Sequence, residues 1–155
     1  MRIVASLLAG LCLLAGCGGG GGGSQLSAAD YRAQLKALGK KADAAQARLT
    51  KGIRTGKPGG LADALSAFAD DYEPLAKQVA DLRPPNDARA ANAELAAGLR
   101  AFAAAARGLA PKIEKAATLD AALALFQHSE AAAAAARQTE HALDALKRLG
   151  YSKRS

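Results

Sequence analysis

The chain has 155 residues, room for one domain, and half of its positions are apolar although only six are aromatic and none is Trp. Alanine fills 42 positions while Ile and Val are rare, so the best helix former dominates and strand formers are scarce; a sheet protein is excluded and an all-α fold is expected. Two Cys, two His and one Met leave little material for a metal or redox centre, and 21 Lys and Arg against 14 Asp and Glu give a formal net charge of +7.

The N-terminus reads as an address. Arg2 and the apolar run from Ile3 to Ala15 have the form of a signal peptide, a positive start followed by a segment too short for a stable membrane span. It ends Leu14-Ala15-Gly16-Cys17, which resembles the lipobox of bacterial lipoproteins: a branched apolar residue, two small ones, and the cysteine that is lipidated before cleavage. Cys12 offers no rival, because Leu11 before it is too large for that pattern. Residues 1–16 are therefore expected to be removed and Cys17 to carry the lipid. At about 0.8 kcal/mol per buried CH₂, two or three acyl chains hold a protein on a bilayer where a single one would not. Residues 17–26 are expected to form the lipidated tether, in which Gly18 to Ser24 are a flexible coil with a reach of roughly 15 Å. A phosphate-binding loop does not fit Gly18 to Gly23, since no strand precedes them and no Gly-Lys-Ser/Thr ending follows. After processing no free thiol is left, which excludes a disulfide within the domain, Cys-ligated zinc and a thiol nucleophile.

Ser27, with Asp30 three residues on, is the expected N-cap of a first helix over residues 28–54. Its inward positions, Tyr31, Leu35, Leu38, Ala42, Ala45, Leu49 and Ile53, step by fours and threes until Thr55 to Gly60 stop it. A second helix, residues 61–82, carries Leu61, Leu65, Phe68, Tyr72, Leu75, Val79 and Leu82 in the same rhythm; the phase continues across Pro74, so a kink is expected there and not a break. Asn86 or Asp87 can cap a third helix, residues 87–117, with Ala88, Asn92, Leu95, Leu99, Phe102, Ala106, Leu109, Ile113 and Ala116 inward. Pro111 either kinks it or opens a separate short helix to Ala117. Thr118 should cap the fourth helix, residues 119–149, with Gly150 as terminator and Leu119, Leu123, Phe126, Leu143 and Leu146 as its larger contacts. Between them Ala131 to Ala136 read as a narrow surface that lets a neighbouring helix approach closely. The expected architecture is an up-down-up-down antiparallel four-helix bundle, residues 27–150, followed by a basic tail, 151–155.

Bundles often hold cofactors, but the ligands are missing. There is no Cys-x-x-Cys-His for a c-type haem, Met1 leaves with the signal, and Leu125 and Gln138 stand three before His128 and His141 where di-iron bundles use Glu. Thirteen residues apart on one helix, the two histidines point to different faces. Asp70 and Asp71 diverge as neighbours on a helix, with no nucleophile and base nearby, so no enzyme, metal or cofactor is expected. Asn92 reads as a buried amide that fixes register, and Tyr31 and Tyr72 as core residues with hydroxyls at the rim.

Without Arg2 the chain has 20 basic and 14 acidic residues, and an antiparallel bundle sorts them by height. Lys147, Arg148, Lys153 and Arg154 fall at the end near Cys17, where anionic head groups would meet them. Arg48, Lys51, Arg54, Lys57, Lys112 and Lys115 fall at the far end, within reach of an anionic envelope polymer or a protein partner. Most of these also lie in last helical turns, where cations complement the helix dipole. Nucleic acid is not expected as the partner of an exported protein without aromatic stacking platforms.

The lipobox, the glycine tether, and the helical segments Tyr31-Arg32-Ala33-Gln34-Leu35, Lys41-Ala42-Asp43-Ala44-Ala45 and Leu82-Arg83-Pro84-Pro85 resemble the small Ala-rich lipoproteins of GC-rich actinobacterial genomes. Some members have a cysteine where this chain has Leu38 and Gly39, so no disulfide role carries over, and the group implies no activity. The expectation is a membrane-anchored extracytoplasmic lipoprotein that presents a helical surface for binding or a structural role. The alternative is a carrier or sensor of an apolar ligand, with the bundle opening at Pro74 and Pro111.

Overall fold

The computed structural model describes residues 24–152; the signal peptide, Cys17, the glycines through Gly23, and Lys153 and Arg154 lie outside the described residues. The fold is all-helical, with five α-helices, one 3₁₀ turn, and no strand among the described residues. Among the described residues no helix is long and apolar enough to cross a membrane.

Helix α1 (Ala28–Ile53) begins as the sequence predicts: the Ser27 hydroxyl oxygen accepts from the Asp30 N–H at 3.1 Å and its proton goes to the Asp30 carboxylate at 2.6 Å. Helix α2 (Pro58–Asp81) starts three residues before its leucine stripe, because Pro58 lacks the N–H that a first helical residue leaves unpaired. It runs through Pro74. The turn Asn86–Ala88 leads into α3 (Arg89–Glu114), and the expected side-chain cap is absent. Both candidate caps are engaged elsewhere, Asn86 Oδ1 accepting from Gln25 at 3.2 Å and Asp87 from the Tyr151 hydroxyl at 3.0 Å. Helix α3 continues through Pro111 and stops at Glu114, so no separate helix begins at that proline.

The predicted fourth helix is two helices, α4 (Leu119–Gln127) and α5 (Glu130–Arg148). Thr118 caps the first, accepting from the Ala121 N–H at 3.2 Å, and Ser129 caps the second, accepting from the Ala132 N–H at 3.2 Å. A serine hydroxyl ready to satisfy a new N-terminus, followed by Glu130 in its first turn, lets the chain change direction at low cost. Helix α5 ends in a Schellman motif: Gly150 takes φ +80°, its N–H reaches Lys147 O at 3.0 Å, and the Tyr151 N–H reaches Leu146 O at 2.8 Å. This folds Tyr151 back onto the protein, where it is buried, so residues 151–155 do not begin as a free tail.

The pairs α1–α2, α2–α3 and α3–α5 run antiparallel, and cross-links fix each register. Leu26 N–H donates to Arg83 O, Lys41 donates to Gln78, and Arg48 pairs with Asp71, joining α1 to α2. Between α2 and α3, Arg107 lies 3.0 Å from Asp70 and 2.8 Å from Glu73. Between α3 and α5, His141 Nδ1 sits 2.8 Å from Glu94 Oε1. Gln25 and Leu26, the last two residues of the expected tether 17–26, are held on the loop after α2.

Two close approaches depend on the absence of a Cβ. At Gly52 a Cβ would lie 2.1 Å from Ala64 Cβ, and at Gly98 it would lie 2.6 Å from Thr139 Oγ1 and 3.0 Å from Thr139 N. The alanine run contributes to the second, since Ala132 and Ala135 are buried where α5 meets α3. The core centres on α2, where Phe68 stacks on Tyr72 with ring centroids 3.9 Å apart and meets Phe102 edge-on at 5.4 Å. Asn92 is buried as expected, donating to Val79 O at 2.9 Å and accepting from the Tyr31 hydroxyl at 2.9 Å. The Tyr31 hydroxyl therefore sits inside and not at the rim.

Candidate functional site

Helix α1 packs on α2, α2 on α3, and α3 on α5, but no comparable backbone interface joins α1 to α5 among the described residues. The difference is written in α1. It buries one residue in seven, Tyr31, Leu38, Ala45 and Gly52, while the alternate stripe positions Leu35, Ala42 and Leu49 stay half-buried. In α2 every stripe position from Leu61 to Val79 is buried. The unpaired side of α1 leaves an apolar cleft of about 530 Å³, walled by Leu35, Leu38 and Ala42 on one side and Leu143 and Leu146 on the other. Leu75, Val79, Leu95 and Leu99, from the central helices, form its floor. Leu143, expected as a core contact, is instead 43% exposed at the lip.

One end of the cleft is closed by an aromatic clasp. The rings of Tyr31 and Tyr151 meet at 72° with centroids 5.2 Å apart, and Arg32 lies over the Tyr151 ring at 5.8 Å while its Nε donates to Gly150 O at 2.9 Å. Burial, and then the neighbouring Tyr151, push the Tyr31 hydroxyl well above its ordinary range, so it stays a neutral donor to Asn92. Burial and the hydrogen bond to the Asp87 carboxylate also push Tyr151 upward. Arg32 and Lys36 line this end, and neither meets a carboxylate among the described residues. Asp43 and Gln46 line the other, where burial raises the Tyr72 hydroxyl.

The cleft is not where the prolines are: neither Pro74 nor Pro111 lines it, so it does not lie at the opening expected there. The sequence signal that could have found it is the weak half of the α1 stripe, where Leu35 and Ala42 flank Gly39, a glycine with no atom within 4 Å of a Cβ position.

Lys147 and Arg148 lie in the last turn of α5, at the end where the chain emerges at Ser24 and where Tyr151 reaches Tyr31. Lys51, Arg54 and Lys57 flank the turn from α1 to α2, with Lys112 and Lys115 at the end of α3. Arg48 differs from them, being paired with Asp71. Among the described residues no group of His, Cys, Asp and Glu could hold a metal ion, and His141 is engaged by Glu94 while His128 lies at the α4–α5 break. No protein-family model, curated protein or solved structure matches the chain.

Proposed function

We propose that the protein is an extracytoplasmic lipoprotein, moored to a bacterial membrane by acyl chains on Cys17, that binds an apolar or amphipathic small molecule in the cleft between α1 and α5. Its frame is an up-down-up-down four-helix bundle whose fourth helix is divided at Ser129. The observation that carries the binding role is the open, leucine-walled cleft of about 530 Å³, a volume within the roughly 300–1,000 Å³ typical of ligand sites. A structural or purely surface-presenting protein has no need to leave Leu143 and Leu35 unsealed. The lipobox at Leu14 to Cys17 and the glycine run behind it support the anchoring. Lys147 and Arg148, with Lys153 and Arg154 following in sequence, are suited to anionic head groups at about 1 kcal/mol each near the surface. The far-end lysines and arginines leave a second surface for an anionic envelope partner. The residues that line the cleft include no nucleophile paired with a base, so binding without catalysis is the role they fit.

Two experiments test the two halves. Cys17→Ser should release the protein from membrane fractions or block removal of residues 1–16, read by fractionation and intact mass; unchanged retention and processing would defeat the anchor. For the cleft, the neutral fluorophore N-phenylnaphthylamine should brighten with the full chain and lose that response in Leu143→Gln and Gly39→Leu. No brightening, or brightening unchanged in both variants, would defeat the binding role.

A further inference from the structure

Resting on the binding role proposed above, we infer that the ligand is a long-chain fatty-acid-type anion, one hydrocarbon tail with a single carboxylate held at Arg32 and Lys36. Three observations fix its chemistry. The first is volume. A methylene occupies about as much space as a water molecule, roughly 30 Å³, so a cleft of about 530 Å³ holds about eighteen carbons, one chain and not two.

The second is length. From Lys36 to Gln46, both lining residues, is ten residues of α1, or about 15 Å at 1.5 Å per residue. That equals one leaflet of a roughly 30 Å hydrocarbon core, the depth that a single layer of acyl chains fills in a bilayer.

The third is charge. Arg32 and Lys36 are one helical turn apart at one end of the trough. Arg32 is already oriented by the Gly150 carbonyl and the Tyr151 ring, yet among the described residues neither cation has a carboxylate to neutralise it. The one acid that lines the cleft, Asp43, stands seven residues further along α1, about 10 Å away, and would repel an anion placed at the opposite end. Polarity along the trough thus selects both the sign of the head group and its direction: carboxylate at Arg32 and Lys36, tail past Leu35, Gly39 and Leu143 toward Gln46.

The test is displacement of N-phenylnaphthylamine from the full chain by hexadecanoate, hexadecanol and hexadecyltrimethylammonium, each below its micellar concentration. Hexadecanoate should compete best, by roughly tenfold over hexadecanol. Its affinity should rise about fourfold per added CH₂ from decanoate upward and level off near eighteen carbons. Arg32→Glu with Lys36→Glu should abolish the preference for the carboxylate and favour the ammonium, while the response to the neutral fluorophore persists. Equal competition by all three amphiphiles, unaltered by the charge reversal, would overturn the fatty-acid assignment and leave the cleft a binding site. Absence of fluorophore binding would overturn both. A dimer in sedimentation that Leu143→Gln dissolves would also overturn the assignment, by giving the cleft a second copy of the chain as its occupant.

Discussion

The side of α2 that faces α3 and the side of α1 that faces α5 are made from the same four-three rhythm of apolar residues, yet one is sealed and the other open. Along α2 both positions of each heptad are buried, with Phe68, Tyr72 and Phe102 filling the middle. Along α1 only one of the two is, and the side chains left over, Leu35 and Ala42, face across a gap to Leu143. Helix α5 explains the gap. Its close packing against α3, where Gly98 admits Thr139 and the alanines are buried, draws it toward α3, and its own large residues come late, at Leu143 and Leu146. Small side chains close one interface by bringing backbones together, and in doing so they leave the opposite interface without enough bulk to fill it. A regular stripe is therefore necessary for burial but does not guarantee it; the partner's volume decides.

The comparison is broken most severely at the sealed side. Phe68→Ala removes a ring 1% exposed and in contact with two others, and should cost about 3–5 kcal/mol in urea unfolding. A cost below about 1 kcal/mol would mean that the interface between α2 and α3 is not the sealed one. Gly98→Ala comes next. Its Cβ would fall 3.0 Å from the Thr139 backbone nitrogen as well as 2.6 Å from Thr139 Oγ1, so α5 must move off α3, at about 1–3 kcal/mol. Adding Thr139→Ala should recover only part of that loss, because it removes the hydroxyl and leaves the backbone contact; full recovery would show that the helices are not in backbone contact there.

How much of this could be read from sequence differs by element. The stripes of α1, α2 and α3 were legible because a 3.6-residue period is a property of one helix alone. The Ser27 and Thr118 caps were legible because each precedes its helix directly. The break at Ser129 was not, since leucines and alanines keep helical phase on both sides of it; the hint was the serine followed by Glu130, an N-cap pattern in the middle of a helix-forming run. Asn86 and Asp87 misled for the opposite reason, being good caps whose oxygens are taken by Gln25 and Tyr151, residues about sixty positions away. Tyr151, lying past the terminating glycine, looked like tail because nothing local shows that a Schellman turn aims it inward. The cleft was the least legible of all, as it belongs to a pair of helices distant in sequence.

At the clasp that ends the cleft, pH separates structure from surface. Tyr31→Phe removes the donor to Asn92 Oδ1 and should cost about 1 kcal/mol at neutral pH. The hydroxyls of Tyr31, Tyr72 and Tyr151 all stand above the ordinary value of 10.0 in the folded protein. Above that pH the unfolded chain releases these protons while the folded one keeps them, so the unfolded state binds fewer protons and stability falls as pH rises. It is fully present below pH 10 and lost progressively above it. Tyr31→Phe should flatten that alkaline decline, read as Tm between neutral pH and about pH 11; a decline as steep as in the parent would place the responsible group elsewhere.

The smallest effect sharpens the comparison most. Leu143→Gln changes a leucine of the fourth stripe, which in a closed bundle would be buried and whose loss would cost about 2 kcal/mol or more. At 43% exposure it has little apolar contact to lose, and glutamine is as good a helix former, so the change should stay within about 0.5 kcal/mol in urea unfolding. Leu146 sits three residues on, on the same helix and fully buried, and Leu146→Ala should cost several times more. Equal costs for the two would mean that α5 closes onto α1 in solution. A wide difference leaves Leu143 facing an unfilled space between α1 and α5.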